Sequence, residues 1–421
     1  MTCPSFLVRR VARAALVAVA VFVLAACGAA PARVATPRDT TILVSIDGFR
    51  ADYLDLGLTP RLSALAASGV RAQGMRPAFP SLTFPNHYTL VTGLAPDHHG
   101  IVHNVFEDAH LPGRFVYNKP ETIADSRWWN GGEPIWVGAE RQGVRTATMF
   151  WPGSDVVIRD TRPWQWRAFD KNVAPDDRVD NVLGWLALPD AERPRFVTLY
   201  FEQVDKAGHD SGPRSPELGA ALKKIDAALG RLVDGLEQSG RAATTNLVIV
   251  SDHGMIATSR DRLVFVDAFV DFNRIRAVNF GVAAGFEPLP GQSRYAEATL
   301  LAPHPHMQCW RRENIPARLR YGTNARVPPI VCLAEAGWII TTREYFDSRN
   351  GKVPAGEHGY DNALPDMAAL FVAHGPAFRR GAVVPTFDNV DVYPLLAHLV
   401  GIRPAKNDGN PQTMRAMLAS P

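Results

Sequence analysis

The chain has 421 residues, 46% of them hydrophobic, enough to bury a large α/β core as one big domain or two smaller ones. Its 45 basic and 42 acidic residues leave a formal charge of +3, and 33 Gly with 33 Pro indicate many loops rather than disorder. So small a charge excludes a protein that coats DNA through its net field, and no internal repeat or long low-complexity tract is present.

At the front, Arg9, Arg10 and Arg13 precede an unbroken apolar run from Ala14 to Leu24. A bilayer-spanning helix needs roughly 20 residues, so this shorter run reads as a secretory signal. The exit, Leu24-Ala25-Ala26-Cys27, resembles the lipobox of bacterial lipoproteins. That resemblance implies a signal over 1–26, lipidation of Cys27, and an exported protein, periplasmic or at the cell surface, held to a bacterial membrane by the lipid alone. Residues 27–39 then form an Ala/Pro tether. Residues 1–26 hold three Arg and no acid, so the mature chain sets 42 basic residues against 42 acids and is formally neutral.

From residue 40 to 414 the sequence reads as one catalytic domain. The apolar runs TILVSID, RFVTLYFEQVD and TNLVIVSDHG end in Asp47, Asp205, and Asp252 with His253; a fourth, DMAALFVAHG, ends without an acid. Such runs suit central strands covered on both faces. Helical stretches are expected at 60–68, 85–92, 178–187, 216–238 and 389–400. Strands alternating with helices predict an α/β fold: a doubly wound, mostly parallel sheet with helices on both faces. Ligands of such sheets sit beyond the carboxyl ends of the strands, where three of these runs deliver acids. Between His253 and His358 the alternation breaks down, and 262–352 reads as a smaller inserted subdomain. Cys309 and Cys332, 23 residues apart in an exported protein, are expected to form a disulfide across it.

The candidate ligands are Asp47 in VSIDGFR, Asp205 and His209 in DKAGH, Asp252 and His253 in SDHG, and His358 in GEHGYDN. Singly each is ordinary: Asp-Gly is usually a turn, and DKAGH could be a turn salt-bridged through Lys206. Together, three carboxylates and three imidazoles are the donor mix that zinc takes. Six are too many for one tetrahedral ion and suit two, the arrangement used for phosphoryl transfer. In PSLTFPNHYTLVTG, Thr83 stands just before an expected helix whose first turn Pro85 suits. A helix N-terminus favours the charge that gathers on a phosphoryl group, though Thr83 alone could equally be a cap. His304 and His306 lie in the insertion without a neighbouring acid in sequence and are expected to be solvated, and His98 and His99 to pack in a turn.

These segments, with HGIVHN, WPGSD, YGTNARVPPIV and GPAF, resemble the nucleotide pyrophosphatase/phosphodiesterase family of the alkaline phosphatase superfamily, over about Thr41 to Phe378. The resemblance implies an alkaline-phosphatase-like fold and two zinc ions. One would be held by Asp205, His209 and His358, and the other by Asp47, Asp252 and His253 with the nucleophile Thr83. It also implies that Asn104 touches a phosphate oxygen, and that Phe84 and Phe169 sandwich a nucleobase, Phe169 standing where the family more often has Tyr.

The expected activity is hydrolysis of phosphodiester or pyrophosphate bonds in small nucleotides, through a phospho-threonine and releasing nucleoside monophosphates, with no specific nucleic-acid binding. Phe84, rather than a cation, follows Thr83. A monoester dianion would call for more positive charge, and an aromatic can accept a diester's second substituent. A pocket for lipid or choline-type headgroups is the alternative on the same core, with Trp164 or Trp166 as further wall candidates. A non-catalytic metal-binding surface lipoprotein is the reading from another class. The oligomeric state is not legible.

Overall fold

A computed structural model describes residues 39–419. The signal, most of the tether and Cys27 lie outside the described residues. The main sheet has eight strands: β1 (Thr40–Ile46), β2 (Val70–Ala72), β3 (Thr146–Met149), β4 (Gln165–Arg167), β5 (Phe196–Phe201), β6 (Thr245–Val250), β7 (Phe371–His374) and β8 (Ala382–Val384). Their spatial order is β8-β2-β7-β6-β1-β5-β3-β4. All run the same way except β7, which pairs antiparallel with both neighbours. The fourth apolar run is therefore reversed: its carboxyl end, His374, reaches the opposite edge, which accounts for its missing acid.

β1, β5 and β6 are buried along their whole length. Alternation sends Ile42, Val44 and Ile46 to one hydrophobic layer and Leu43 to the other; Leu247 and Ile249 go with the first, Val248 and Val250 with the second. The first layer is closed by α1 (Pro60–Ser68), α3 (Pro175–Leu186) and α5 (Pro216–Gln238), and the second by α2 (Thr83–Thr92) and α6 (Val392–Val400). The architecture is thus the expected α/β sheet covered on both faces. α5 starts where capping chemistry dictates: Ser215 accepts from the Leu218 N–H, and Pro216 takes the first helical position.

Two expected helices start earlier than the apolar pattern showed. α3 begins at Pro175, whose fixed φ suits the first turn, and continues through the polar Asp176 and Asp177. α2 begins at Thr83 itself, so Thr83 is inside the helix rather than before it. The last predicted stretch, 389–400, is a 3-10 turn (Asn389–Asp391) leading into α6.

Within 262–352 a second sheet of four antiparallel strands forms, Ile275–Asn279, Ala283–Pro288, Ile330–Ala334 and Met307–Arg311 in spatial order. Cys309 and Cys332 stand directly opposite each other in it and are disulfide-bonded. The sheet is fastened to the main body through YGTNARVPPIV. Asp97 accepts from the Gly322 and Thr323 N–H groups and the Thr323 hydroxyl. Arg326 donates to the carbonyls of Gly100 and Trp128 and pairs with Asp108. Tyr321 donates to the Val102 carbonyl, and the buried His103 ring bonds the Ala283 carbonyl. Those contacts bracket Asn104.

Candidate active site

Because β1, β5 and β6 are adjacent and parallel, their carboxyl ends open side by side. Asp47 follows β1, Asp252 and His253 follow β6, and Asp205 and His209 follow β5. The latter two are not in a turn: they belong to a helix, α4 (Gln203–Ser211), whose four-residue spacing puts both on one face with His209 Nε2 3.5 Å from Asp205 Oδ2. Gly48 permits the close approach. It adopts φ of +68°, and a Cβ there would lie 2.8 Å from the Asp205 Cα. His358 arrives from a short strand, Gly356–Glu357, paired with Ile256–Ala257. Its ring stacks on His253 at 3.5 Å between centroids.

The hydrogen bonding of this cluster is incomplete in a specific way. Nδ1 of His209, His253 and His358 lies 2.8–2.9 Å from the carbonyl oxygens of Gly356, Gly254 and Ser81. A carbonyl only accepts, so each Nδ1 carries the proton, and each Nε2 of a neutral ring is left as a lone pair. Those Nε2 atoms face carboxylate oxygens: His253 to Asp47 Oδ1 at 3.6 Å and Asp252 Oδ2 at 2.9 Å, His358 to Asp205 Oδ1 at 3.7 Å. The same three oxygens are buried without a hydrogen bond. The other oxygens of Asp47 and Asp252 are satisfied, by the Tyr200 hydroxyl at 2.7 Å and the Gly48 N–H at 3.2 Å. Lone pairs turned on lone pairs need positive charge between them, a proton or a metal ion, and three carboxylates with three imidazoles are a donor set that fits bound metal ions.

Titration follows the same logic. Burial, then Asp252 and Asp205, pushes the Asp47 carboxyl well above the usual range. Burial would raise Asp252 too, but His253 and His87 hold it well below. His209 is drawn up to about 9: burial opposes the charge, and Asp205 and Glu357 outweigh it. Burial, then the neighbouring His253 and His209, pushes His358 well down. The cluster competes for positive charge that its imidazoles only partly supply.

Three groups of ligating atoms lie within 4.8 Å of one another: Asp47, Asp252 and His253; Asp205, His253 and His358; and His209, Glu357 and His358. All six sequence candidates are brought together, with His253 and His358 each shared between two groups. Glu357 was missed by the sequence reading. The signal existed, an acid beside a candidate ligand in GEHGYDN, but alternation in a strand would send adjacent side chains to opposite faces.

Thr83 occupies the first position of α2, where N–H groups have no helical partner. Its hydroxyl caps nothing and lies 3.2 Å from His253 Nε2. His87, one turn on and fully buried, ties this position down: Nδ1 lies 2.9 Å from the Thr83 carbonyl and 3.4 Å from Asp252 Oδ2, and Nε2 lies 2.8 Å from the Ser45 hydroxyl of β1. Asn104 accepts the Phe84 N–H on Oδ1 at 3.0 Å, which turns its amide donors the other way. Phe84 packs among Phe115, Tyr117 and Trp129, half-buried. Phe169 is 53% exposed and meets Tyr200 edge-on at 5.8 Å, and Tyr200 in turn bonds Asp47. Tyr117, also missed, presents a 44% exposed ring beside Phe84 within the field of Asp205 and Glu357.

Trp164 and Trp166 carry Arg145 and Arg162 on their faces. His99 is a buried partner of the Thr89 hydroxyl, and His98 pairs with Asp408. His304 stacks on Phe269. His306 does have an acid nearby, Glu335 at 2.7 Å across a loop, and stacks on Trp338, so folding supplies the partner that the local sequence lacks.

A sequence profile of the family described as type I phosphodiesterase / nucleotide pyrophosphatase matches residues 41–361. An uncharacterised pyrophosphatase/phosphodiesterase of Schizosaccharomyces pombe is 37% identical over 88% of this chain and 79% of its own length. The venom phosphodiesterase of Macrovipera lebetinus is 38% identical over 90% of this chain, and human ectonucleotide pyrophosphatase/phosphodiesterase family member 1 is 36% identical over 93%. The chain spans less than half of these last two, 45% and 43%. Among solved structures, murine ectonucleotide pyrophosphatase/phosphodiesterase 5, an inactive threonine-to-alanine variant bound to AMP, superposes with a TM-score of 0.86 at 34% identity, covering 90% of this chain and all of that one.

Proposed function

This chain belongs to the type I phosphodiesterase / nucleotide pyrophosphatase family, a family of hydrolases, and on that premise we propose that it is a zinc enzyme cleaving phosphodiester and pyrophosphate bonds of small nucleotides through a covalent intermediate on Thr83. The observation that carries this is the set of buried carboxylate oxygens turned on imidazole lone pairs, with a helix-terminal hydroxyl 3.2 Å from one of them. Asp205, His209 and His358 would hold one zinc; Asp47, Asp252 and His253, with Thr83, the other. When bound, such ions supply Lewis acidity that ionises a hydroxyl and draws charge from the phosphoryl and leaving oxygens.

Thr83 Oγ1 attacks phosphorus in line with the leaving group, the P–O bond to that group breaks, and its oxygen takes up a proton. Water then attacks from the vacated side, breaks the Oγ1–P bond, and releases a nucleoside monophosphate. The Asn104 amide and the Thr83 N–H donate to non-bridging oxygens as charge develops on them. Phe84 and Phe169 offer flat faces to the base, a contact worth roughly 1–3 kcal/mol. The AMP bound by the murine relative supports a nucleotide, and that relative's inactive threonine variant supports a threonine nucleophile. A choline-type headgroup is the second reading, because the partly exposed Tyr117 ring, 6.0 Å from Phe84, offers a second aromatic face that suits a quaternary cation.

We further place the protein outside the cytoplasm, anchored through Cys27. The lipobox sequence and the Cys309–Cys332 disulfide both suit an exported chain. A labelled fatty acid should be incorporated by the wild type and not by Cys27→Ser.

The deciding assay compares nitrophenyl esters before and after chelation and zinc add-back: a monoester, a bis-nitrophenyl diester, a nucleotide diester and phosphocholine. Zinc-restored activity highest on the nucleotide diester is expected. Leadership by phosphocholine would replace the base pocket with the second reading, and leadership by the monoester would end the diesterase assignment.

A further inference from the structure

We propose that the amino edge of the main sheet, opposite the metal-ligand cluster, is a basic face that lies on anionic phospholipid headgroups and leaves the site open away from the membrane; this rests on the Cys27 anchoring given above. The chain enters the fold at this edge. β1 starts at Thr40 and Asp47 follows its far end, which at about 3.3 Å per residue puts the entry roughly 20 Å from the site. Residues 28–39 separate Cys27 from Thr40. A flexible segment of that length spans about 20 Å, so the lipid is tethered to this edge.

The loops around the entry carry arginines in the order of the strands. The Thr41 N–H donates to the Arg195 carbonyl ahead of β5, and the Arg195 N–H to the Arg145 carbonyl ahead of β3, both at 2.9 Å. On the other side Arg241 stands ahead of β6, its carbonyl accepting from Thr245 Oγ1 at 2.9 Å. The turn that ends β7 lies against the start of β6, with the Ala377 N–H 3.0 Å from Asn246 Oδ1, and leads into the exposed Arg379 and Arg380. With neighbouring strands about 4.8 Å apart, this row from β3 to β7 extends roughly 20 Å, and Thr40 stands at its middle.

The positive charge of the row is poorly answered. Asp190 pairs with both Arg193 and Arg195, and among the described residues Arg145, Arg241, Arg379 and Arg380 pair with no carboxylate. Glu192 and Glu237 are exposed in the same loops without joining them. Nε of Arg241 is buried with no hydrogen bond. Burial, then Arg241, lowers the Arg193 guanidinium from its usual value, and burial, then Arg380, lowers the His374 ring. The mature chain is formally neutral, so this excess is local. Phosphate headgroups are the anions that the anchor itself brings within reach of it.

The test is hydrogen exchange of the purified, processed protein on vesicles of phosphatidylcholine alone and of phosphatidylcholine with roughly one third phosphatidylglycerol. Mass spectrometry first shows whether the lipid is present. On the anionic vesicles residues 190–195, 240–245 and 375–381 should exchange about threefold more slowly or less, and about 0.5 M salt should remove the difference. Arg379→Glu with Arg380→Glu should abolish it while the diester rate in solution is unchanged. Arg380→Glu alone, which disturbs no hydrogen bond among the described residues, covers the case of poor folding of the double variant and should weaken the protection. Equal exchange on the two kinds of vesicle would overturn the proposal, as would protection of residues 169–173 beside the site instead. Absence of the lipid would overturn the anchoring reading and with it the orientation, whereas salt-sensitive protection of the three loops decides the basic face by itself.

Discussion

At the carboxyl edge of the main sheet, buried oxygens of Asp47, Asp205 and Asp252 carry no hydrogen bond and face imidazole lone pairs. In the antiparallel sheet, charges are answered by neighbours: Arg311 by Glu297, Arg276 by Glu107 and Glu287, and Cys309 is joined to Cys332. The first region keeps groups unsatisfied that only an occupant can complete, while the second is closed upon itself and upon the segment leading to Asn104. Substitutions in the first should therefore act on chemistry at little cost in stability, and substitutions in the second the other way round.

The largest effect expected is that of Thr83→Ala, which should lower turnover by about 10⁴ or more with both metals retained. Single-turnover kinetics with metal analysis checks this, and a variant that turns over normally would remove the covalent step. Next is Asp97→Ala, which strips acceptors from two backbone N–H groups and a hydroxyl. It should cost about 2–4 kcal/mol in denaturant unfolding while metal uptake stays intact. Loss of metal in that variant would mean the two regions are not separable. Replacing Cys309 and Cys332 together by Ser should cost a similar 2–4 kcal/mol and leave the diester rate unchanged.

Phe169→Ala sharpens the contrast from the other side. It should raise KM for nucleotide diesters by an amount worth roughly 1–3 kcal/mol and leave the unfolding midpoint where it was. A KM equal to that of the wild type would release Phe169 from the base pocket.

The smallest effect is a slope. Burial holds His103 down at about 4 and His99 at about 3, so the unfolded chain binds their protons first as pH falls. Their contribution is complete above about pH 6.5 and declines below it, on the order of 1 kcal/mol per pH unit for each ring. His103→Gln should lose less stability than the wild type between pH 6.5 and 4.5; parallel curves would show that His103 is not buried neutral.

Much of this was legible along the chain. The apolar runs placed β1, β5 and β6, and their polar ends placed Asp47, Asp205, Asp252 and His253, because a buried parallel strand must be apolar until it leaves the sheet. Legibility failed where the deciding contact was distant. The reversal of β7 is a matter of pairing with β6 and β2, and strand composition is blind to direction. DKAGH is too short and polar to announce a helix, and α4 forms because it packs beside α5 and under the site. His87 read as one more residue of a helix until its ring was seen to join Thr83, Asp252 and Ser45.

What the sequence determined by itself was the inventory: which strands could be central, which donors could hold metals, and which hydroxyl could attack. Those properties belong to individual residues and their immediate neighbours, and composition and spacing carry them. Only the tertiary structure decided which lone pairs confront each other, that Glu357 comes beside His209 and His358 and Tyr117 beside Phe84, and that YGTNARVPPIV fastens the second sheet beside Asn104. Each of these depends on a meeting of segments far apart in the chain, whose geometry is set by the packing of the two sheets and by no single stretch of sequence.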